Sequence, residues 1–247
     1  MNVDIHGTPI YFTIDLFGGI PITETLVVTW AIMILLTGLC IWLTHGLKVW
    51  NISKRQAVAE KIVLLAENFV ISNMGEQFRR YIPFVTAIFA LSIFSSLSSL
   101  VGVFPPTATV STELAWAVIV FILITYTKIK TNRLGGYLKG FTEPIFLMAP
   151  FNVLGEVFTP ISMSFRHFGN IVSGVVISTL VYAALTLANH ALFGWLPGAL
   201  GEILGSIPFL TVGIPAVVSL YFDWFSSFMQ AFIFCMLTMM FIASAAE

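Results

Sequence analysis

The chain has 247 residues, of which 58% are hydrophobic and only 9% are charged, and its mean hydropathy is +0.96. A soluble domain of this length needs far more charged surface, so this composition excludes a soluble globular protein and indicates an integral membrane protein in contact with lipid. The formal net charge of −1 is uninformative, because the positions of charges decide the topology of a membrane protein.

The first apolar run predicts a membrane span. No Asp, Glu, Lys or Arg occurs between Glu24 and Lys48, which is long enough for a spanning helix of about 20 residues. We therefore assign residues 22–47 to the first span and residues 1–21 to an external N-terminal segment. The two cysteines, Cys40 and Cys235, lie in apolar runs and are predicted to be buried thiols, not disulfide or metal ligands.

Residues 54–78 have a different pattern. Val58, Ile62 and Leu65 recur at helical spacing, while the charged side chains fall on other faces, which predicts an amphipathic helix lying at the membrane interface. Residues 81–103 and 107–127 are predicted to be the second and third spans, separated by Pro105 and Pro106.

The last hundred residues hold two unusually long apolar segments, 144–188 and 208–246. As a helix the first would be about 65 Å long, whereas the hydrocarbon core is only about 30 Å thick. Each segment is therefore either broken at Pro150, Pro160 or Pro215, or forms a long helix strongly tilted in the membrane. The sequence alone leaves both possibilities open, and the predicted class is an all-α membrane protein with about five membrane helices.

Basic residues predict the orientation. They cluster between the first two spans and after the third span, and are absent from residues 1–21 and from the Pro105 loop; they are Lys48, Lys54, Arg55, Lys61, Arg79, Arg80, Lys128, Lys130, Arg133 and Lys139. The positive-inside rule then places both clusters in the cytoplasm, the N-terminus outside and the C-terminus in the cytoplasm.

Arg166 is the leading functional candidate, because it is the only Lys or Arg after Lys139. An arginine in a membrane helix costs at least about 2.5 kcal/mol on insertion scales and usually faces a partner or water. Small or polar residues share its helical face: Thr159, Ser162, Gly169, Asn170, Ser173 and Gly174. The alternative is a structural salt bridge from Arg166 to Glu156 or Asp223.

A second polar stripe follows the last apolar segment. Its members recur at spacings of three, four or multiples of these, and they are Ser219, Asp223, Ser226, Ser227, Gln230 and Thr238. Two polar stripes inside lipid predict a water-accessible ion path between helices. Glu156 and Asp223 could instead be solvated at helix ends, and the hydroxyls could be plain packing.

His167 is the most ambiguous candidate for the ion path. Its side chain points about 100° away from Arg166 around the helix, which favours an ordinary buried histidine. Familiar enzyme signatures, zinc-type cysteine spacings and phosphate-binding glycine loops are absent from the sequence. We therefore predict no cofactor and no metal, and we do not expect the chain to be a catalyst by itself.

The segments around Arg166 resemble a known family. "SFRHFGNIVSG" is similar to the arginine motif of the a subunit (subunit 6 type) of F-type ATP synthases, usually S-x-R-L-F-G-N-x-x-A-G. "MQAFIFCMLTMMFIASAAE" resembles the C-terminal helix of that subunit, with Gln230 at its glutamine position. The segments "GGYLKGFTEPIFLMAPFNVLGEVFTPIS", "PPTATVSTELA" and "ITETLVVTW" extend the similarity over nearly the whole chain.

This resemblance implies a stator subunit in the membrane sector of the synthase. The last two helices would form a hairpin against a ring of c subunits, and Arg166 would face each ring carboxylate in turn. Two offset half-channels would carry protons or sodium ions, with Glu156 on the cytoplasmic side and Asp223 on the outer side. The implied partners are the c ring, the peripheral-stalk b subunits and the rest of the synthase, in a bacterial plasma membrane and without nucleic acid.

Three positions depart from the family pattern. His167 stands where leucine is usual, Ser173 where alanine is usual, and Val175 where many members carry an acidic or imidazole group. Val175 puts a two-residue relay on the outer side in doubt and leaves Asp223 as the main ionisable candidate there.

Two other classes of function compete with this interpretation. A secondary transporter with an arginine clamp should show paired repeats with matching broken helices, which the chain lacks. A purely structural scaffold would not need a lone arginine on a polar stripe.

Overall fold

In a computed structural model of the chain, residues 8–14, 19–50, 52–142, 145–193 and 220–246 are described. Six α-helices dominate this part of the chain: α1 Glu24–Thr44, α2 Lys54–Met74, α3 Ile82–Leu97, α4 Val110–Gly140, α5 Ala149–Phe193 and α6 Ser227–Ser244. A π-helix, Leu220–Ser226, leads into α6. Short 3₁₀ turns occupy Glu76–Tyr81, Ser98–Val101, Pro106–Ala108 and Phe146–Met148.

Five described helical segments are long and apolar enough to cross a membrane. They are Glu24–Thr44, Glu76–Val101, Val110–Gly140, Phe146–Asn189 and Trp224–Ser244. This confirms the predicted class, an all-α integral membrane protein. Along α2 the apolar side chains Val58 and Leu65 are exposed, whereas Val70 and Met74 are buried at its C-terminal end. The interfacial position of α2 stays a prediction.

The described N-terminal residues contain a small element that the sequence analysis did not predict. Strands β1 (Ile10–Ile14) and β2 (Ile20–Thr23) pair antiparallel. The strand-favouring run "IYFTI" and the glycines before β2 were the available signals. The backbone N–H of Glu24 donates to the Pro9 carbonyl (3.0 Å), so this hairpin leads directly into α1.

The first of the two long apolar segments forms one helix. The 45 residues of α5 rise about 68 Å at 1.5 Å per residue. Pro150 lies in the first turn, where its missing N–H leaves no helical bond unmade, and the helix continues past Pro160. A break at either proline is therefore wrong. Residues 208–219, which include Pro215, lie outside the described residues.

The α4 helix reaches beyond the predicted span 107–127. Its assignment continues through Lys128 and Lys130 to Gly140, but Arg133 has φ 58° and ψ 167°, so two helical stretches meet at a kink there. A non-glycine residue with positive φ is strained. Since the kink follows the apolar part of α4, it redirects the chain where the basic segment begins.

The apolar core lies where α2, α3, α4 and α6 meet. Val85, Val120, Phe234 and Met239 are almost fully buried there, and Cys235 is buried beside them. The prediction for Cys40 was wrong, because it is exposed on α1.

Two sets of contacts define the ends of the bundle. At one end the Phe104 N–H donates to Glu24 Oε1 (3.2 Å), which holds the α3–α4 connection against the start of α1. At the other end Ser244, the last residue of α6, and Ala245 line a cavity together with Lys128. The helices α4 and α5 run antiparallel between these ends, since Glu113 lies beside His167 and Lys128 beside Glu156.

Candidate functional site

Arg166 lies near the middle of α5 with its side chain exposed. Neighbouring residues on the other side of the same helix face inward, since Met163, Ser164 and His167 are buried. Among the side chains that the structure describes, none forms an ion pair or a hydrogen bond with the Arg166 guanidinium. Arg166 is thus a permanent cation directed away from the packed face of its own helix.

Two cavities between α5 and α6 reach Arg166. The larger, about 260 Å³, is lined on the α5 side by Thr159, Ser162 and Arg166 and on the α6 side by Leu237 and Phe241. The smaller cavity is lined by Arg166, His167 and Gln230 together with apolar side chains. The structure therefore brings Arg166 and Gln230 to the same small cavity, and their part in an ion path stays a prediction.

Glu156 lies nearer to the start of α5, beside another cavity that Lys128 also lines. Its Oε1 accepts from Lys128 Nζ (3.0 Å) and from the Tyr137 hydroxyl (3.3 Å). The alternative salt bridge between Glu156 and Arg166 is therefore wrong, because Glu156 is paired with Lys128. Ten residues of helix also separate the two side chains, a rise of about 15 Å.

The cavity beside Glu156 has a volume of about 490 Å³. It is lined by α4, α5 and the end of α6, including Asn132, Asn152 and Ser244. Gly155, Thr159 and Phe241 line both this cavity and the 260 Å³ cavity at Arg166. The two cavities are thus adjacent along α5, and polar side chains line them between Lys128 and Arg166.

On the other side of Arg166, one turn further along α5, a polar contact joins the two long helices. Asn170 Nδ2 donates to Ser226 Oγ (2.7 Å), which ties α5 to the π-helix before α6. Asp223 belongs to that π-helix, but its side chain lies outside the described part of the structure. The relation between Asp223 and Arg166 therefore stays a prediction.

The remaining serines have ordinary environments. Ser173 is exposed and its hydroxyl donates to the Asn170 carbonyl (3.0 Å) within α5. Ser227 is buried at the start of α6. These contacts fit the plain-packing alternative as well as the ion path.

His167 belongs to a buried cluster that the sequence analysis missed. Its Nδ1 lies 3.2 Å from Glu113 Oε2 on α4, and its Nε2 lies 3.3 Å from Ser92 Oγ on α3. The Glu113 and His167 side chains are 0% and 1% exposed. A signal for Glu113 was present, since it is an acid inside the predicted span 107–127 and intramembrane acids are functional by default.

Three charged groups with different surroundings lie in this region. Glu156 is a carboxylate beside a cavity and a lysine, Glu113 is a carboxylate in the protein interior, and Arg166 is an exposed fixed positive charge. A guanidinium in that position attracts carboxylates and repels free cations. The two carboxylates, in contrast, can each take up a cation or a proton.

Comparisons with known proteins agree with this chemistry. The chain matches the ATP synthase A chain family over residues 26–243. It is 34% identical over 200 residues to ATP synthase subunit a 1 of Chlorobaculum tepidum, which covers 77% of this chain and 90% of that protein. It is 29% identical over 233 residues to ATP synthase subunit a 1 of Prosthecochloris aestuarii, with 94% and 93% covered.

A further relative is named "ATP synthase subunit a, sodium ion specific", from Propionigenium modestum; it is 30% identical over 240 residues, with 91% of this chain and 74% of that protein covered. These matches do not favour a secondary transporter. Because the family match spans most of the sequence and includes Arg166, Glu156 and Gln230, the chain belongs to the a subunits of F-type ATP synthases.

Proposed function

We propose that this protein is the ion-translocating stator subunit of its synthase and that Arg166 faces the carboxylates of a rotating c ring. The observation that carries the proposal is the exposure of Arg166 on a membrane helix without a partner among the described side chains. A fixed cation facing lipid would be costly. A ring carboxylate brought against α5 supplies the missing counter-charge.

The exposed position fits a pair that must form and separate at every step. Removing one partner of a buried, dry ion pair costs roughly 3–5 kcal/mol. A membrane potential of about 100 mV supplies only about 2.3 kcal/mol per charge. Thr159 and Ser162 beside the 260 Å³ cavity give the pair polar, open surroundings, so its separation costs less than that of a dry pair.

The Glu156 cavity is the proposed cytoplasmic half-channel. Lys128 and Asn132 stand at its far end, in the basic segment that the positive-inside rule places in the cytoplasm. Glu156 holds a cation by charge, and Lys128 beside it keeps that binding weak enough for release. From there Thr159 and Ser162 lead to Arg166.

The outer half-channel is proposed along the contact between α5 and the π-helix. Asn170 and Ser226 form its described polar contact, and Asp223 is its ionisable group from the sequence. Gln230 shares the small cavity with Arg166 and stands between the two half-channels. Arg166 would repel any ion that moves directly from one half-channel to the other, so ions must travel on the ring.

The proposed setting is a bacterial plasma membrane, with the N-terminus outside and the C-terminus in the cytoplasm. The proposed partners are the c ring at the exposed face of α5 and the peripheral-stalk b subunits elsewhere. The relative from Propionigenium modestum is sodium ion specific by name. The carboxylate that binds the transported ion belongs to the ring, so Arg166 serves a proton or a sodium ion in the same way.

Replacing Arg166 by alanine tests the proposal. We expect Arg166→Ala to abolish ion-driven ATP synthesis while the complex still assembles, because the guanidinium contributes no contact within the described structure. The control is Lys130→Ala, which removes an exposed cation from the basic end of α4 and should leave synthesis intact. Wild-type synthesis in Arg166→Ala, or loss of the subunit from the membrane, would contradict the proposed role.

A further inference from the structure

Glu113 is an acid in the interior of a membrane protein with almost no compensation. Neither of its carboxylate oxygens accepts a hydrogen bond within the described structure, and His167 Nδ1 also lacks one, although it lies 3.2 Å from Glu113 Oε2. Unsatisfied buried polar groups destabilise a fold and call for an explanation such as a functional role. Taking up and releasing a proton is one such role.

A file of hydroxyl groups leads from the α3–α4 connection to this pair. Ser96 Oγ lies 3.1 Å from Thr107 Oγ1 in the connection, and Ser92 lies one turn along α3 against His167. Ser95 Oγ and Thr109 Oγ1 are further buried oxygens in this region without a hydrogen-bond partner. Ser92, Ser95 and Ser96 are buried on one face of the otherwise apolar α3 helix, and hydroxyls can both accept and donate a proton.

His167 connects the file to Arg166. Its imidazole lines the small cavity that Arg166 and Gln230 also line, and Glu113 does not line that cavity. The groups that face the imidazole are Ser92 from α3, Glu113 from α4, Phe234 from α6 and, next to it in the chain, Arg166. Of these, Glu113 is the proton donor or acceptor, and Arg166 is the fixed positive charge.

We propose that Glu113 and His167 form a proton-transfer pair in the outer half-channel, taking the role for which Val175 provides no ionisable group. This inference rests on the proposed function of the subunit. The α3–α4 connection contains no Lys or Arg and lies at the outer end of the bundle by the positive-inside rule. Protons therefore arrive from outside and reach the ring beside Arg166.

The transfer balances in three steps. A proton from the connection converts the Glu113 carboxylate to the neutral acid. Glu113 passes it to Nδ1 of neutral His167, which regenerates the carboxylate and forms an imidazolium. The positive charge of Arg166 then favours loss of one N–H proton from His167 into the shared cavity and onto a ring carboxylate. One proton enters and one leaves, so Glu113 is again a carboxylate and His167 is again neutral. The remaining imidazole proton is then on Nδ1, and rotation of the ring or exchange through Ser92 at Nε2 restores the starting tautomer.

Passive proton flux through the reconstituted complex tests the pair. Glu113→Gln keeps the shape of the side chain but cannot ionise, and His167→Leu installs the residue that is usual in the family. We expect each to slow potential-driven proton flux by about tenfold, below the ~10²–10⁴-fold typical of a sole acid–base group, because Asp223 remains. Glu76→Gln, which neutralises a carboxylate that is 74% exposed, is the matched control and should leave flux unchanged.

Only complexes with a normal amount of assembled subunit are compared, and infrared difference spectra provide a second readout. We expect a carboxylic acid band that responds to outside pH in the wild type and is lost in Glu113→Gln. Wild-type flux in both variants would overturn the pair while leaving the role of Arg166 intact. A wild-type complex that carries sodium ions but no protons would also overturn the pair. Failure of the Arg166→Ala test alone would overturn the proposed function.

Discussion

Two glutamates on opposite ends of the α4–α5 contact show how differently one residue type can be used. Glu156 has 11% of its side chain exposed, lines a cavity of about 490 Å³ and bonds to Lys128 and Tyr137. Glu113 is fully buried and has His167 as its ionisable neighbour. The first carboxylate therefore borders open space, whereas the second is enclosed by other side chains.

The difference follows from where each residue lies on its helix. Glu156 is near the start of α5, where α4 is leaving the membrane with basic residues, so a lysine is available as its partner. Glu113 is in the first turn of α4, where the chain has no basic residue and the neighbours are hydroxyls. An open site suits release into water, and a closed one suits transfer along a fixed route that admits protons and excludes larger cations.

The largest effect is expected from reversing the charge of the open site. Glu156→Lys places a second ammonium beside Lys128, and the two like charges exclude cations from the cavity. ATP synthesis in membrane vesicles should fall to background. Glu156→Asp, which keeps the charge, should retain most of the activity; equal loss in both variants would mean that packing, not charge, is what the site requires.

A strong effect, which a second substitution should partly rescue, is expected at the outer end. Asp223→Asn removes the ionisable group of the π-helix and should slow ion entry strongly, because Val175 cannot carry a proton. Val175→Glu in the same chain should restore part of the flux. Wild-type flux in Asp223→Asn would show that Glu113, water and hydroxyls suffice without Asp223.

A smaller effect is expected from Lys128. Its ammonium is 35% exposed, so its pair with Glu156 contributes about 0.2–1 kcal/mol. Lys128→Met should therefore alter the rate of ion exchange by about two- to fivefold. Salt should reduce the difference between variant and wild type; a complete block would mean that Lys128 is itself an obligatory ion-binding group.

The smallest effect is expected from Tyr137. Its hydroxyl donates a 3.3 Å bond to Glu156, and Tyr137→Phe removes only that bond. At 3.3 Å this is a long and therefore weak hydrogen bond to a carboxylate, and Lys128 still holds the carboxylate. Thermal unfolding of the purified complex should shift slightly with ATP synthesis retained, whereas loss of synthesis would place Tyr137 in the ion path.

The sequence predicted the apolar helices well because hydropathy and length are local properties. The five spanning segments and the length of α5 follow from runs without charged residues. The kink at Arg133 was not predictable, because nothing in the local pattern requires positive φ there. The exposure of Cys40 was missed for a related reason, since an apolar run in a membrane protein faces lipid as readily as protein.

The site was predicted only in part because its contacts cross between helices. The helical face that Arg166 shares with Thr159 and Ser162 could be derived from spacing within α5. The partner of Glu156 could not, because Lys128 is 28 residues away on another helix. The Glu113–His167 pair likewise depends on the register of α4 against α5, which no single-helix pattern contains.

The central claim is that the two glutamates serve opposite sides of the membrane and that Arg166 separates them. The most direct test places a single cysteine either at Glu156 or at Val101, which is 83% exposed in the α3–α4 connection that leads to Glu113. Each chain lacks Cys40 and Cys235, and a small membrane-impermeant thiol reagent is added to one side at a time. We predict that Glu156→Cys reacts only from the cytoplasmic side and that Val101→Cys reacts only from outside. Reaction of both cysteines from the same side would contradict the account.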